Sequence, residues 1–249
     1  MKTITAALLA ATMLTGSAAA ASITTNTGTC PDPKVGQCFY VYIKGKIEQG
    51  DERKFEAIAK NPHSSLPRVV SLSSDGGHML AGFVIGVRLR EWNYATLVSE
   101  KTRCASACAD IWLAGIARFA SESSAIGFHS PYMTDKKGRT TRAPADIIAL
   151  NKRYYAQIGI PKPAADFFLT AAPEDMYWMN GSLLDGLRVE FATVEEKRAE
   201  FAKTQSIPDV TRVPKSQDRV PTATFTSDPE LWAPPSWAPA KVNPSGGPG

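Results

Sequence analysis

Between Lys101 and Gly115 the chain reads K-T-R-C-A-S-A-C-A-D-I-W-L-A-G, with one serine, Ser106, set midway between two cysteines. A serine hydroxyl is a weak nucleophile at neutral pH until a base takes its proton and N–H donors stabilise the oxyanion that develops. The search is therefore for a histidine, a carboxylate and backbone N–H groups that can reach Ser106. The histidines are His63, His78 and His129, and a Gly-Gly pair, Gly76-Gly77, stands directly before His78.

The cysteines admit other chemistry. C-x-x-x-C is not the C-x-x-C of thioredoxin-type redox proteins. A zinc site needs ligand spacing that no histidine has relative to Cys30, Cys38, Cys104 or Cys108, so no metal and no cofactor are expected. Four cysteines allow three connectivities, and the local pairs, Cys30 with Cys38 and Cys104 with Cys108, are the expectation. Disulfides belong to an oxidising compartment. The first residues agree: one lysine, an apolar run from Ile4 to Leu14 and an A-x-A site at Ala18 to Ala20 read as a secretory signal peptide cut after Ala20. That run is shorter than the ~18 apolar residues of a membrane span, so no membrane insertion is expected after cleavage. The expected location is periplasmic or secreted.

The remaining residues must position Ser106. The chain carries 28 Lys and Arg against 24 Asp and Glu, scattered, which gives no nucleic-acid footprint. Residues 21–38 are polar, interrupted by Gly and Pro, and read as a leader segment tied by Cys30 and Cys38. F-Y-V-Y-I-K-G-K-I, from Phe39, reads as a strand, and D-E-R-K-F-E-A-I-A-K as a helix. The pattern repeats: strand R-V-V-S-L, turn S-S-D-G-G, helix His78 to Trp92, strand A-T-L-V-S, then a helix opened by C-A-S-A-C and running to about Arg118. A strand S-A-I-G-F-H ends at His129, a loop fills 134–143, and helices follow at Ala145 to Gln157 and Pro163 to Ala171. A turn, a short helix and a last strand follow over residues 173–193, and the body runs from residue 39 to 205. Alternating strands and helices predict an α/β fold with a largely parallel sheet covered by helices. Residues 206–249 hold nine of the chain's 18 prolines and read as a disordered tail.

S-S-D-G-G, C-A-S-A-C-x-x-x-x-L-A-G-x-x-R and I-G-F-H-S-P, in that order, resemble the Clp protease proteolytic subunit and its exported relatives in the crotonase-like superfamily, over about residues 41–193. The resemblance implies a ββα superhelix, a peptide or protein substrate, and a Ser-His-Asp serine peptidase able to form a homo-oligomer. It makes Ser106 the nucleophile and His129, 23 residues on, the general base. The oxyanion donors become backbone N–H groups in the Gly76-Gly77 turn and of Ala107. The acid falls on Asp175 in P-E-D-M-Y-W-M, with Asp166 as the alternative. The cysteines around Ser106 depart from the family's small residues, and a bridge between them would lock the nucleophile's backbone. The segment after His129 is short for the family's double-ring barrel.

Each residue also has an ordinary reading. Ser106 is a reasonable helix N-cap, His129 a strand-end residue bonded to a carbonyl, Asp175 a cap, and Gly76-Gly77 a tight turn. His78 is a rival base. A non-catalytic exported protein keeping the fold as a binding or scaffolding body is the competing class. A crotonase-type acyl-CoA enzyme lacks a glutamate beside the glycines, and the absence of G-x-S-x-G disfavours the lipase-type elbow.

Overall fold

The computed structural model describes residues 20–62, 64–172, 175–179, 184 and 186–205. The expected signal peptide, except Ala20, the Pro-rich tail and His63 lie outside the described residues.

Strand β2 (Gln37–Lys44) starts a parallel run with β3 (Arg68–Ser73), β4 (Tyr94–Val98), β6 (Arg118–Ala120) and β11 (Ala192–Thr193). Helices α1 (Asp51–Ala59), α2 (Met79–Glu91) and α3 (Ala107–Leu113) make the crossovers. The alternation of side chains along these strands splits the interior in two. Val41, Ile43, Val70, Leu72 and Val98 join the main core with the helices, whereas Tyr40, Val69, Leu97 and Phe119 form a smaller cluster on the opposite face. That second cluster is closed by the Cys30–Cys38 disulfide and by Val194, at the start of α6 (Val194–Gln205).

Residues 21–38, expected as a leader segment, contribute β1 (Ser22–Thr29), an antiparallel edge strand with Ser22 opposite Lys44 and Thr29 opposite Gln37. Its sequence S-I-T-T-N-T-G-T lacks apolar alternation because most of it faces solvent. The buried carboxylate of Asp51, at the start of α1, accepts from the Ala21 N–H at 3.2 Å, the Glu48 N–H at 2.8 Å and the Lys54 ammonium at 2.7 Å, which fastens the start of this edge to the body.

The third helix ends at Leu113, earlier than expected, and the chain turns into β6. Arg118 enforces this stop: its buried guanidinium donates to the Leu113 carbonyl at 2.7 Å and to the Glu190 carbonyl at 3.2 Å, satisfying an acceptor at the helix end. The segment expected as a loop at 134–143 is a solvent-exposed hairpin of β8 (Tyr132–Thr134) and β9 (Thr140–Arg142). Helices α4 (Ala145–Gln157) and α5 (Lys162–Phe168) follow near their expected bounds.

A second sheet, not foreseen as a separate unit, does most for the site. It holds β5 (Arg103–Ala105) beside β7 (Ala125–Phe128), with β10 (Tyr177–Met179) antiparallel on the far side. Strands β5 and β7 are parallel, and Ala105 is in register with Gly127. Ser106 and His129 therefore leave the same end of two neighbouring strands.

Candidate active site

Ser106 sits between β5 and α3 with φ 55° and ψ −127°, a conformation that costs a residue with a Cβ roughly 1–3 kcal/mol. Three constraints hold it there. Its N–H donates to the Gly127 carbonyl at 2.9 Å, and its carbonyl accepts from the Asp110 N–H at 3.1 Å. The disulfide Cys104–Cys108, with Cα atoms 5.1 Å apart, bridges the strand and the helix on either side of it. Gly76 then packs against it so closely that a Cβ there would lie 2.7 Å from the Ser106 Cβ and the Ala105 carbonyl oxygen.

In the Gly76-Gly77 turn one N–H is bonded and the other is not. The Gly76 N–H donates to Ser74 Oγ at 3.0 Å, whereas that of Gly77 has no acceptor among the described residues. Ala107 is the first residue of α3, so its N–H has no acceptor within the helix. Gly77 and Ala107 line, with Ser106 and His129, a cavity of about 620 Å³. Gly77 has φ 142°, and its missing Cβ leaves room for the Ile47 backbone.

His129 is half-buried, and its ring Nδ1 lies 2.7 Å from the Ser130 carbonyl oxygen. A carbonyl only accepts, so Nδ1 carries the proton and the neutral ring keeps its lone pair on Nε2. Burial holds the ring's pKa below the usual histidine value, partly offset by the Ser130 carbonyl. His129 is therefore neutral at pH 7 and able to accept a proton. No hydrogen bond joins it to Ser106 among the described residues, so proton transfer requires the pair to tighten around a substrate or to use one water.

His78 also lines the cavity, but its Nδ1 accepts from the Ala81 N–H at 3.2 Å and so caps α2. With Nδ1 occupied, the neutral ring carries its proton on Nε2 and has no second lone pair to act as a base. Lys46 reaches the cavity as well, its ammonium 2.6 Å from Glu48, which raises its pKa and keeps it charged.

Neither sequence-expected acid lines this cavity. Asp175 is exposed ahead of β10, its N–H bonded to the Ala172 carbonyl at 3.0 Å. Asp166, half-buried on α5, is paired with Lys152 and Lys162, which hold its carboxyl down to about 2. Three carboxylates line the cavity, Glu48, Asp75 and Asp110; the buried one is Asp110, 6% exposed, in the first turn of α3, which Ser106 precedes. The Tyr155 hydroxyl donates to its Oδ1 at 2.7 Å, yet burial pushes its pKa up to about 7. Sequence reasoning passed over it. Its signal was a single acid amid A-C-A-D-I-W-L, where every other residue is apolar and buried, because a polar residue in such surroundings is the informative one.

No family model and no curated protein matches the chain. Solved structures do. The 1510-N membrane-bound stomatin-specific protease, in a serine-to-alanine mutant, is 19% identical with a TM-score of 0.51, covering 67% of this chain and 83% of its own. A lysine-to-alanine mutant of the same protease in complex with a substrate peptide gives 19% identity and a TM-score of 0.52, covering 69% and 83%. At that identity the likeness carries the fold: a Clp-protease-like α/β architecture with a mostly parallel sheet.

Proposed function

We propose that this chain is an exported serine hydrolase acting on peptide bonds, with Ser106 as nucleophile and His129 as general base. The carrying observation is that Ser106, on a strained backbone at the start of α3, opens into the same cavity as a half-buried, neutral His129 whose Nε2 carries the lone pair. In this reading Nε2 takes the Ser106 proton as Oγ attacks a carbonyl carbon, and later returns it to the leaving amine. The N–H groups of Gly77 and Ala107 receive the oxyanion, helped by the positive end of α3. The Ser130 carbonyl, rather than Asp175 or Asp166, fixes the tautomer of His129. Likeness to a protease solved with a substrate peptide supports a peptide substrate. The N-terminal signal pattern and the disulfides Cys30–Cys38 and Cys104–Cys108 support export.

The test is covalent labelling by a fluorophosphonate. The folded, disulfide-bonded protein should be modified at Ser106, and Ser106→Ala or His129→Ala should abolish modification. One observation favours a second reading, a non-catalytic body that binds with the same cavity: Ser106 and His129 are not hydrogen-bonded. Intact protein that never labels would establish that reading instead.

A further inference from the structure

We propose that the cavity beside Ser106 ends in an anionic subsite, where the Asp110 carboxylate receives the cationic side chain, lysine or arginine, of a bound peptide. This rests on the peptidase reading for the identity of the ligand, while the site itself stands on its own geometry.

Asp110 is nearly inaccessible, yet it forms part of the cavity wall. Its Oδ1 accepts from Tyr155, but Oδ2 has no donor, and no Lys, Arg or His pairs with the group, among the described residues. Helical side chains lean toward the helix N-terminus, so the carboxylate leans over the turn that begins at Ser106, one helical turn away. A buried carboxylate with a single neutral donor is costly, and burial accordingly raises its pKa to about 7. A ligand that brings a positive charge and several N–H donors removes that cost.

The walls suit the rest of such a side chain. Met79 from α2, Ala107 from α3, and Ile147 and Asn151, one turn apart on α4, line the cavity around Asp110. Met79, Ala107 and Ile147 give an apolar wall for the aliphatic stem of lysine or arginine, and the polar Asn151 lies on the same lining as the acid that meets the head group. The three helices are locked together. Gly82 packs on Ala107, and Gly86 leaves space for the Tyr154 hydroxyl, which donates to the Asp110 carbonyl at 2.7 Å. The Phe83 and Tyr154 rings stack with centroids 4.1 Å apart. The carboxylate is thus fixed in position before any ligand arrives. Among the described residues no group of three or more His, Cys, Asp or Glu is placed to hold a metal, so a metal cation is not the occupant argued for.

Peptidyl phosphonate diphenyl esters bearing Lys, Arg, Leu, Ala or Glu next to phosphorus give the test, together with benzamidinium and its neutral analogue benzamide. With the full-length exported protein at pH 8, Lys and Arg probes should label Ser106 at least tenfold faster than Leu. That ratio, measured within one protein, should fall below threefold in Asp110→Asn. Benzamidinium, but not benzamide, should raise the melting temperature of the unmutated protein and slow its labelling. Fastest labelling by Leu or Ala, or a ratio unchanged in Asp110→Asn, overturns the proposal. So does a protein that benzamidinium leaves unaffected. If no phosphonate labels while benzamidinium still stabilises, the peptidase reading fails and the anionic subsite stands. The benzamidinium arm needs no variant, so it decides even if Asp110→Asn does not fold.

Discussion

The ring Nδ1 of His129 and the carbonyl oxygen of Ser130 are 2.7 Å apart, a bond between a side chain and its own neighbour's backbone. In the proposed mechanism it takes the orienting place that a carboxylate has in a Ser-His-Asp triad. Ser130 is itself held: it is fully buried, its N–H donates to the Ala171 carbonyl at 3.1 Å, and its hydroxyl accepts from the Arg142 guanidinium at 3.2 Å. Asp175→Asn and Asp166→Asn are therefore expected to label with fluorophosphonate at rates within about twofold of the parent. A drop of about 100-fold in either would return the acid's role to that residue. Arg142→Ala should slow labelling several-fold by loosening Ser130, and Arg142→Lys, which keeps a donor, should restore part of it.

Burial lowers the His129 pKa, so its neutral, proton-accepting form dominates above a value below the usual 6.5. The labelling rate should rise with pH along a titration of His129 whose midpoint lies below 6.5. A midpoint above 7 would mean that the ring is stabilised as a cation, contrary to its surroundings.

Asp110 gives the opposite dependence in stability. Its folded pKa, about 7, lies above the unfolded value near 3.8. The stability it contributes is thus complete below the unfolded value and is lost as pH rises through the folded one. Tyr154 and Tyr155 face it from α4, and His78, His129, Lys46, Glu48 and Asp75 share the cavity. Asparagine keeps an acceptor for Tyr155 but does not ionise. Asp110→Asn should gain on the parent by about 4 kcal/mol between pH 4 and pH 8, the equivalent of three pKa units. Denaturant melts at several pH values measure it, and a difference that stays flat would show that Asp110 is not held protonated.

Much of this architecture was legible because it is written locally. Helix α4 begins after Pro144 and keeps Asn151, Tyr154 and Tyr155 on a buried face, and β3 and β4 are short apolar runs bounded by turns. Strand β1 was not legible, since a threonine-rich edge strand takes its form from the partner it pairs with rather than from burial of its own. The hairpin β8–β9 was hidden for the same reason: both strands are exposed, and Gly138, at φ 78°, makes a turn that resembles any polar loop. At the site, Ser106, His129 and Gly77 were marked by their places at strand ends and before helices. Which carboxylate approaches them depends on how α4 packs on α3, a long-range outcome that no short motif encodes.

The Gly76-Gly77 turn should tolerate no side chain. Gly76 has φ 94° and faces the Ser106 Cβ, and Gly77 has φ 142° and faces the Ile47 backbone. Backbone strain alone costs about 1–3 kcal/mol for a residue with a Cβ there, before the contacts are counted. Gly76→Ala should lower the melting temperature and also displace Ser106, so that labelling falls by more than the loss of folded protein explains. Alanine at Gly138, also at positive φ but with nothing within 4 Å, is the control: it should carry backbone strain only and label as the parent does.

The disulfides separate stability from chemistry. In the chain-entropy account, closing loops as short as those of Cys104–Cys108 and Cys30–Cys38 gives about 2–3 kcal/mol each. Replacing either pair by serine should therefore lower unfolding free energy by similar amounts. Their effects on Ser106 should differ. Cys104 and Cys108 flank the strained serine, whereas Cys30 and Cys38 belong to the small cluster on the other face of the main sheet. Without Cys104–Cys108 the chain around Ser106 is free to relax from φ 55° toward ordinary values, and at full folding the labelling rate should fall at least tenfold. Without Cys30–Cys38 it should stay within about twofold. Equal losses in both variants, measured where each is more than 95% folded by circular dichroism, would mean that the bridge beside Ser106 contributes stability and nothing to the geometry of that serine.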